Sequence, residues 1–531
     1  MSKAAVQLPG VYFTRAERVA QAAPLRSDVA GFAGRTRRGP VSRRVRVEGW
    51  NDYLRWFGGL DAQAYAPYGL RGYFENGGQV AHVVRVGAVE GPGAATLAGA
   101  VLAPVHGWGG YRIEASSPGA WANRTRIQVR YRRDGASGGA ELDLAIDTPG
   151  EPLEYLTGLL FGMPDDDGVD PLQRQVESRS ALVRVIPNGV PPPAGPGPRR
   201  LDWTLTLDGG LDGAGLDIAA YSAALQALND EPEIAILALP DLYRDLADPD
   251  AIGLLADLML QVEACRDRML LVDAPLDRAR ANGVSSAQLL TWIDALRGEP
   301  RKLEARAAAA YHPWLHVHDP LGGVADPLRA VPPCGHVAGV ISKLDRERGP
   351  HYTPANASLL DALDLATRMN GEEQMQVSAS GINLLRCSSG NGLLVWGSST
   401  LARPARSEAP RSTAMIGDHF IAYRRLIHRL VRAIRAVSEP LVFDTNGPEL
   451  WLAFVRAVTT VLVEAWRGGA LKGSRPDEAF SVQCDDKTNP PEERELGRCV
   501  CNIGVAPVAP MEFIVFRVAL SGEGTLEVFE S

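Results

Sequence analysis

The residues in this chain best placed to do chemistry are His316, His318 and Asp319. On a strand, positions two apart share a face, so the two imidazoles could point at one metal ion. A closed site needs a third and fourth ligand, and the neighbouring sequence offers none. Cys499 and Cys501, with Cys484, raise the chemistry of zinc thiolates. A C-x-C pair without a second pair reads instead as buried thiols. Gly213-x-Gly215 lacks the third glycine of a dinucleotide fingerprint, and Gly469–Ser474 contains Lys472 but does not spell a phosphate-binding loop. There is no G-x-S-x-G elbow. Asp165–Asp167 follows Pro164 and reads as a solvated loop, not as paired catalytic carboxylates. The expectation is therefore no catalytic residue, no cofactor and no bound metal.

Bulk composition removes other classes. A net charge of −8 gives no basic field for nucleic acid or an anionic membrane. The N-terminal MSKAAVQLPGVYF has no apolar stretch after a basic start, and no run of about 18 uncharged apolar residues occurs. The expected setting is assembly in the cytoplasm, without membrane insertion. Six scattered cysteines fit that setting as reduced, buried thiols. With 531 residues, the chain has room for two to four domains.

The patterning then divides the chain. Residues 1–30 read as an extended arm and 31–90 as the N-terminal part of a core. That part carries short helices at Asn51–Phe57 and Pro67–Asn76, and a strand, Val80–Val86, apolar on both faces. Over 91–205 the period changes to two. Ile127, Val129 and Tyr131 alternate with arginines and Gln128, and Leu201, Trp203 and Leu205 alternate with polar residues, as in half-buried antiparallel strands. Over 206–345, the apolar runs Ile234–Leu239 and Met269–Val272 alternate with helical spacings (Ile252, Leu255, Met259, Val262; Leu289, Trp292, Ile293, Leu296), which implies a parallel, doubly covered sheet.

Residues 346–510 carry two long amphipathic helices. In one, Phe420, Tyr423, Ile427, Leu430 and Ile434 form the apolar stripe, and Arg424, Arg425, Arg429, Arg432 and Arg435 read as a wet face. The other starts at Pro448, with Glu449 in its first turn, and stops at Gly468-Gly469. A basic turn, Arg467, Lys472 and Arg475, follows its end and on residue types alone is a solvated turn. Residues 511–531 contain a strand, Met511–Leu520, and a short polar tail. Over Glu512–Val518, Phe513, Ile514, Val515, Phe516 and Val518 make that strand apolar on both faces, with Glu512 and Arg517 the charged positions. These residues fit either an internal strand or one paired with another chain.

Several segments, in order, resemble the contractile tail sheath family. They are PGVYF; VAGFAGRTRRGPV (Val29–Val41); GYFENGGQVAHVVRV (Gly72–Val86); LDGGLDG leading to EIAILALPDLY (Glu233–Tyr243); AAAAYHPWLHVHDP; PPCGHVAGVISKLDRERGPHYTPAN (Pro332–Asn356); GINLLR; LLVWGSSTL; FDTNGPELW; TNPPE (Thr488–Glu492); and VAPVAPMEFIVFRV (Val505–Val518). Between 91 and 205 only SPGAWANRTRIQV fits well. The resemblance implies a mixed α/β, multidomain sheath fold: a core from N- and C-terminal parts, an α/β middle region, a β-rich inserted domain, and a C-terminal domain facing an inner tube.

It also implies a helical homopolymer that contracts from a metastable extended state around that tube. Val11, Tyr12 and Phe13 of one arm and Glu512–Val518 of the other would add strands to neighbouring copies. Arg467, Lys472 and Arg475 become candidate tube contacts. The partners implied are the chain itself, an inner tube protein, baseplate and terminator or cap proteins, and sister sheath proteins, within a phage tail or phage-like injection particle. Two competing readings are a nucleotide-binding α/β enzyme over 206–345, weakened by the missing phosphate loop, and a shell or baseplate component that never shortens.

Overall fold

The computed structural model describes residues 26–508 except 88–93, 103, 105–107, 134–139, 163–167, 192–198, 214, 277–283, 299–304, 325, 389, 391 and 403–418; beyond 508 it describes the backbone of two strands, Ile514–Leu520 and Leu526–Glu530. In chain order, β1 (Ala30–Gly34), β2 (Arg44–Val47), α1 (Trp50–Phe57), α2 (Ala66–Glu75) and β3 (Ala81–Arg85) come first. The inserted strands β4 (Gly99–Leu102), β5 (Tyr111–Ala115), β6 (Arg126–Arg133), β7 (Ala140–Asp147), β8 (Glu154–Leu160), β9 (Val183–Pro187) and β10 (Arg200–Thr206) follow, with α3 (Pro171–Arg179) before β9. Next are α4 (Ile218–Asn229), β11 (Ile236–Ala238), α5 (Leu242–Asp245), α6 (Asp248–Cys265), β12 (Met269–Asp273), α7 (Ser286–Arg297) and β13 (Ala308–His312).

A small sheet is built from β14 (Leu315–His318), β15 (Leu328–Val331) and β16 (Asp364–Leu365); α8 (Cys334–Glu347), α9 (Gly371–Ala379), β17 (Asn383–Ser388) and β18 (Gly392–Trp396) complete the body. The C-terminal part consists of α10 (Ile421–Ser438), α11 (Pro448–Arg467), α12 (Pro476–Ala479), β19 (Phe480–Gln483), α13 (Pro491–Glu495), β20 (Cys499–Val505), β21 (Ile514–Leu520) and β22 (Leu526–Glu530).

The body is an eight-stranded sheet in the order β18-β17-β13-β12-β11-β1-β3-β2. The six inner strands are parallel, and only the edge pairs β2–β3 and β17–β18 are antiparallel. Side chains alternate between two cores, as strand geometry requires. Ala33, Val84, Leu237, Leu270, Val272, Ala308 and Ala310 face one apolar layer with α4, α6 and α7. Phe32, Val83, Ile236, Leu271, Ala309 and Tyr311 face the other, with α1, α2 and α8. A sheet buried on both faces explains the unbroken apolar runs of its strands.

This sheet runs across the divisions drawn from sequence at 205/206 and 345/346. Strands β1–β3 from 31–90, β11–β13 from 206–345 and β17–β18 from 346–510 share one set of backbone hydrogen bonds. Changes in hydrophobic period mark where elements change type; they do not reveal which strands pair across long crossovers. Residues 96–211 do form a separate apolar core. It is closed by bridges Thr96–Leu211 and Gly99–Asp208 and filled by Ile127, Val129, Tyr131, Leu144, Ile146 and Leu207.

Helices α2 and α8 cross at glycines. A Cβ on Gly335 would lie 2.1 Å from Gly69 O, and one on Gly339 would lie 2.4 Å from Tyr73 O. Only hydrogen fits there, so the glycines of GHVAGV set how closely the helices approach. Gly335→Ala is expected to cost about 1–3 kcal/mol. Gly253→Ala in α6, where an added Cβ meets nothing within 4 Å, is expected to stabilise by up to about 1 kcal/mol. Thermal unfolding of the two variants measures both signs.

Candidate functional site

The C-terminal part is where a role in assembly can be examined. Its sheet runs β19-β20-β21-β22, so the described strands leave β19 and β22 as edges. Strand β20 is paired along its length with β21, from Cys499–Leu520 to Val505–Ile514. In the single chain, the strand over Ile514, Val515, Phe516, Arg517 and Val518 thus lies inside the sheet of its own molecule. Beyond it, the expected polar tail is a strand: β22 pairs with β21 from Phe516–Glu530 to Leu520–Leu526. The local signal was weak: after the glycine-rich SGEG only Leu526, Glu527 and Val528 alternate, and Phe529 and Glu530 break the period. Val11, Tyr12, Phe13, Glu512 and Phe513 lie outside the described residues, as do Asp165–Asp167.

Helices α10 and α11 cover this sheet. Tyr423, Leu426, Ile427, Leu430 and Ile434 pack with Trp451, Phe454, Val458 and Leu462, and with Cys501, Ile503 and Val505 of β20. The basic turn after α11 is open. Arg467 is exposed, and Arg475 pairs with Asp477 at 3.3 Å in a largely exposed contact. The Lys472 N–H donates to Ala506 O at 2.7 Å, which pins the turn to the sheet.

The arginine face of α10 corrects the sequence reading most sharply. Arg424, Arg425 and Arg432 are buried and Arg435 is partly buried, because this face packs on the body. Arg425 pairs with the buried Asp345 of α8 and donates to Ser27 O at 2.9 Å. Arg432 donates to Glu233 O at 2.8 Å. Arg435 donates to Cys265 O at 2.7 Å, at the carboxyl end of α6, and to Asp267 at 3.2 Å. A guanidinium has five donors and can therefore be buried against backbone carbonyls, which a pattern of charged positions cannot express. Burial pushes the Asp345 carboxyl up, against the pull of Arg425. His428, in the same helix, is held well below the usual imidazole range by burial and by Arg424 and Arg425, and is neutral.

Three segments quoted for the resemblance turn out to be fasteners. Asn76 (ENGG) donates to Gly72 O and Leu360 O and accepts from Leu360 N–H. Asn383 (GINLL) donates to Ala310 O and Ser399 O and accepts from Ser399 N–H. Asn489 (TNPPE) donates to Val500 O and accepts from Val500 N–H. Each buried amide bonds both a carbonyl and an N–H of a distant segment, satisfying backbone groups away from water. The aspartate of PDLY likewise satisfies backbone groups: Asp241 accepts from the N–H groups of Tyr65, Arg35 and Ala66 at 2.5, 2.8 and 3.1 Å.

The residues that could have suggested catalysis are committed elsewhere. His316 and His318 project from β14, whereas Asp319 is buried and accepts from the Tyr68 hydroxyl at 2.6 Å. No group of three or more His, Cys, Asp or Glu among the described residues could hold a metal ion. A cleft of about 480 Å³ lies at the carboxyl ends of β1 and β3, lined by Arg35, Arg37, Arg85, Trp121 and Asp212. Its arginines are engaged: Arg35 with Asp245, Arg37 with Pro149 O, and Arg85 with Pro118 O and Asp212. Cys387 is exposed, and Cys265 and Cys484 are partly so, which corrects the expectation that all six thiols are buried.

Two family models match: the phage tail sheath protein central domain over residues 295–401, and the phage tail sheath C-terminal domain over 419–521. The chain thus carries the central and C-terminal domains of phage tail sheath proteins. The second match spans the α10 seam and the four-stranded sheet as far as β21. The fold agrees over nearly the whole length of solved relatives. The sheath tail protein of Listeria innocua is 12% identical with a TM-score of 0.63, covering 93% of this chain and 95% of that one. The sheath tail protein of Desulfitobacterium hafniense is 12% identical with a TM-score of 0.60, covering 96% and 100%. The contracted helical sheath of the anti-feeding prophage is 20% identical with a TM-score of 0.52, covering 96% and 98%. No curated protein matches the chain.

In this protein, a buried acid sets a pH dependence. Asp273 ends β12 and accepts the Cys334 N–H at the start of α8, and burial pushes its carboxyl up to about 7. A folded pKa above the unfolded value means that the native state holds a proton the unfolded chain releases. This contribution is full below about pH 4 and is lost as pH rises through about 7, by up to about 4 kcal/mol. Asp273→Asn is therefore expected to gain stability over the wild type progressively from about pH 4 to about pH 8. Unfolding curves of both proteins across that range measure it.

Proposed function

We propose that this chain is the structural subunit of a contractile sheath. It polymerises helically around an inner tube and shortens from a metastable extended state, driving the tube through a target envelope. The observation that carries this reading is the pairing of central and C-terminal sheath domains with a fold that follows, over 96% of this chain, a contracted helical sheath. The work comes from rearranged contacts between copies and not from catalysis. Energy is stored as kinetic metastability and released when interfaces repack.

The arms at Val11–Phe13 and Glu512–Val518 serve as strands exchanged between copies. In the exchanged arrangement the strand of one copy takes the place beside β20 that β21 holds in the single chain, since a strand edge recruits another chain through its backbone groups. A contact repeated head-to-tail without closing generates a helix. Arg467, Lys472 and Arg475 face the inner tube, where the exposed Arg467 and Arg475 make contacts weak enough to release. Baseplate, terminator and sister sheath proteins are the remaining partners, and the particle assembles in the cytoplasm.

A second reading is favoured by one observation, a likeness to a chain in the anti-feeding prophage baseplate at 21% identity and a TM-score of 0.53. In that reading the protein is a static component that assembles but never shortens. Electron microscopy of the expressed protein separates the two. Striated hollow tubes occurring in a long and a short form are expected; tubes of one fixed repeat would favour the static component, and discrete small oligomers would overturn both. Deleting Met511–Ser531 is expected to leave the eight-stranded body folded and to abolish tubes. Normal tubes from that truncation would remove the arm from the account.

A further inference from the structure

Three of the six cysteines converge, although fifteen or more residues separate Cys484 from the other two. Strand β20 carries Cys499 and Cys501 two positions apart, hence on one face, and β19 runs antiparallel beside it with Val482 opposite Ile503 and Gln483 opposite Asn502. The next position, Cys484, comes level with Cys501 and leans towards Cys499, with the two sulfurs 3.8 Å apart. Cys499 and Cys501 belong to the apolar core beneath α10 and α11, whereas Cys484 is partly exposed.

The fully buried Asn489 closes the group from the side. Its Nδ2 donates to Cys484 Sγ at 3.5 Å while the same side chain is locked onto Val500. The arrangement therefore has one accessible sulfur, two sheltered ones in reach, and an amide holding the accessible one in place. The environment is polarised in the same sense: donation from Cys499, Cys501 and Asn489 holds the Cys484 thiol below its usual range, while Cys499 and Cys501 are pushed up.

We propose that Cys484 and Cys499 form an oxidisable dithiol, which a disulfide-containing small molecule converts into a covalent staple between the end of β19 and the start of β20. The Cys484 thiolate attacks one sulfur of the reagent R–S–S–R, forming a mixed disulfide and expelling one thiolate. The Cys499 thiol gives up its proton to solvent, and its sulfur attacks Cys484 Sγ, forming the internal disulfide and expelling the second thiolate. The protein loses two hydrogens and two electrons, and the reagent becomes two molecules of R–SH. The sulfurs must close from 3.8 Å to the roughly 2.0 Å of a disulfide, a movement within reach of side-chain rotation at the partly exposed end of β19.

The staple would close the loop 485–498, which contains TNPPE and α13, within the sheet that carries the chain's C-terminal strands. A particle built in a reducing compartment and released into an oxidising one would thereby acquire a cross-link that its assembly did not need.

The test uses the full-length protein, reduced and then exposed to oxidised glutathione under native conditions. Remaining thiols are alkylated and the digest is mapped by mass spectrometry without reduction. The expected result is loss of two of the six thiols and a linked peptide pair joining Cys484 to Cys499. The link should persist in Cys501→Ser and be absent from Cys484→Ser. In the reduced wild type, native alkylation of Cys484 should be at least about tenfold faster than that of Cys499 or Cys501. Six alkylatable thiols after oxidation, a glutathione adduct on Cys484 that never resolves, or a link made through Cys387 or Cys501 instead would each overturn the proposal. The wild-type map decides the matter even if a variant does not fold.

Discussion

The seam on which this architecture depends is the burial of arginines on α10. One stripe of the helix packs apolar side chains over the C-terminal sheet, and the other inserts guanidinium groups into the body. There Arg425 meets Asp345, and Arg432 and Arg435 reach the carbonyls of Glu233 and Cys265. A buried ion pair does not of itself add stability, because desolvating two charges offsets most of their attraction. Leaving one of the charges unpaired, however, costs several kcal/mol. The seam therefore specifies one docking of the C-terminal part on the body and penalises every other. The neutral His428, lodged among the same arginines, adds no further charge to the crowded interface.

The body meets the seam as a stiff element. Its sheet is covered on both faces, and two of its helices touch through glycines with no space for a methyl group. Asn76, Asn383 and Asp241 fasten distant segments to one another by satisfying backbone groups in pairs or threes. A subunit made this way transmits displacement instead of absorbing it, because close-packed interiors deform little. Under the proposed function, the compliance that shortening needs then belongs to the contacts between copies.

Much of this was legible in the sequence, and the misses have physical causes. The alternations Ile127-Val129-Tyr131 and Leu201-Trp203-Leu205 became β6 and β10 of one sheet. Pro448 opens α11, where its fixed φ suits the first turn, and the left-handed Gly469 follows the Gly468 cap. The segments that suggested a sheath sit where the chain fastens to itself. What could not be read was partnership at a distance. Nothing in 31–90 announces that β1 lies beside β11, since parallel pairing across a long crossover leaves no local mark. The arginines of α10 looked wet because charge is ordinarily solvated; only the carbonyls and carboxylates facing them reverse that inference. Cys484 and Cys499 looked unrelated until the register of β19 and β20 put their sulfurs in contact. As candidate tube contacts, Arg467 and Arg475 remain exposed, as residue types alone suggested.

The claim at the centre is that α10 is welded to the body by its buried charges. Native-state hydrogen exchange of α10 in the wild type, Arg425→Met, Asp345→Leu and the double variant tests it directly. The account predicts that each single change lowers protection of α10 amides by about a hundredfold or more, and that the double variant loses clearly less than the two losses combined, because no charge is left stranded. Single variants with wild-type protection, or losses that simply add, would contradict it.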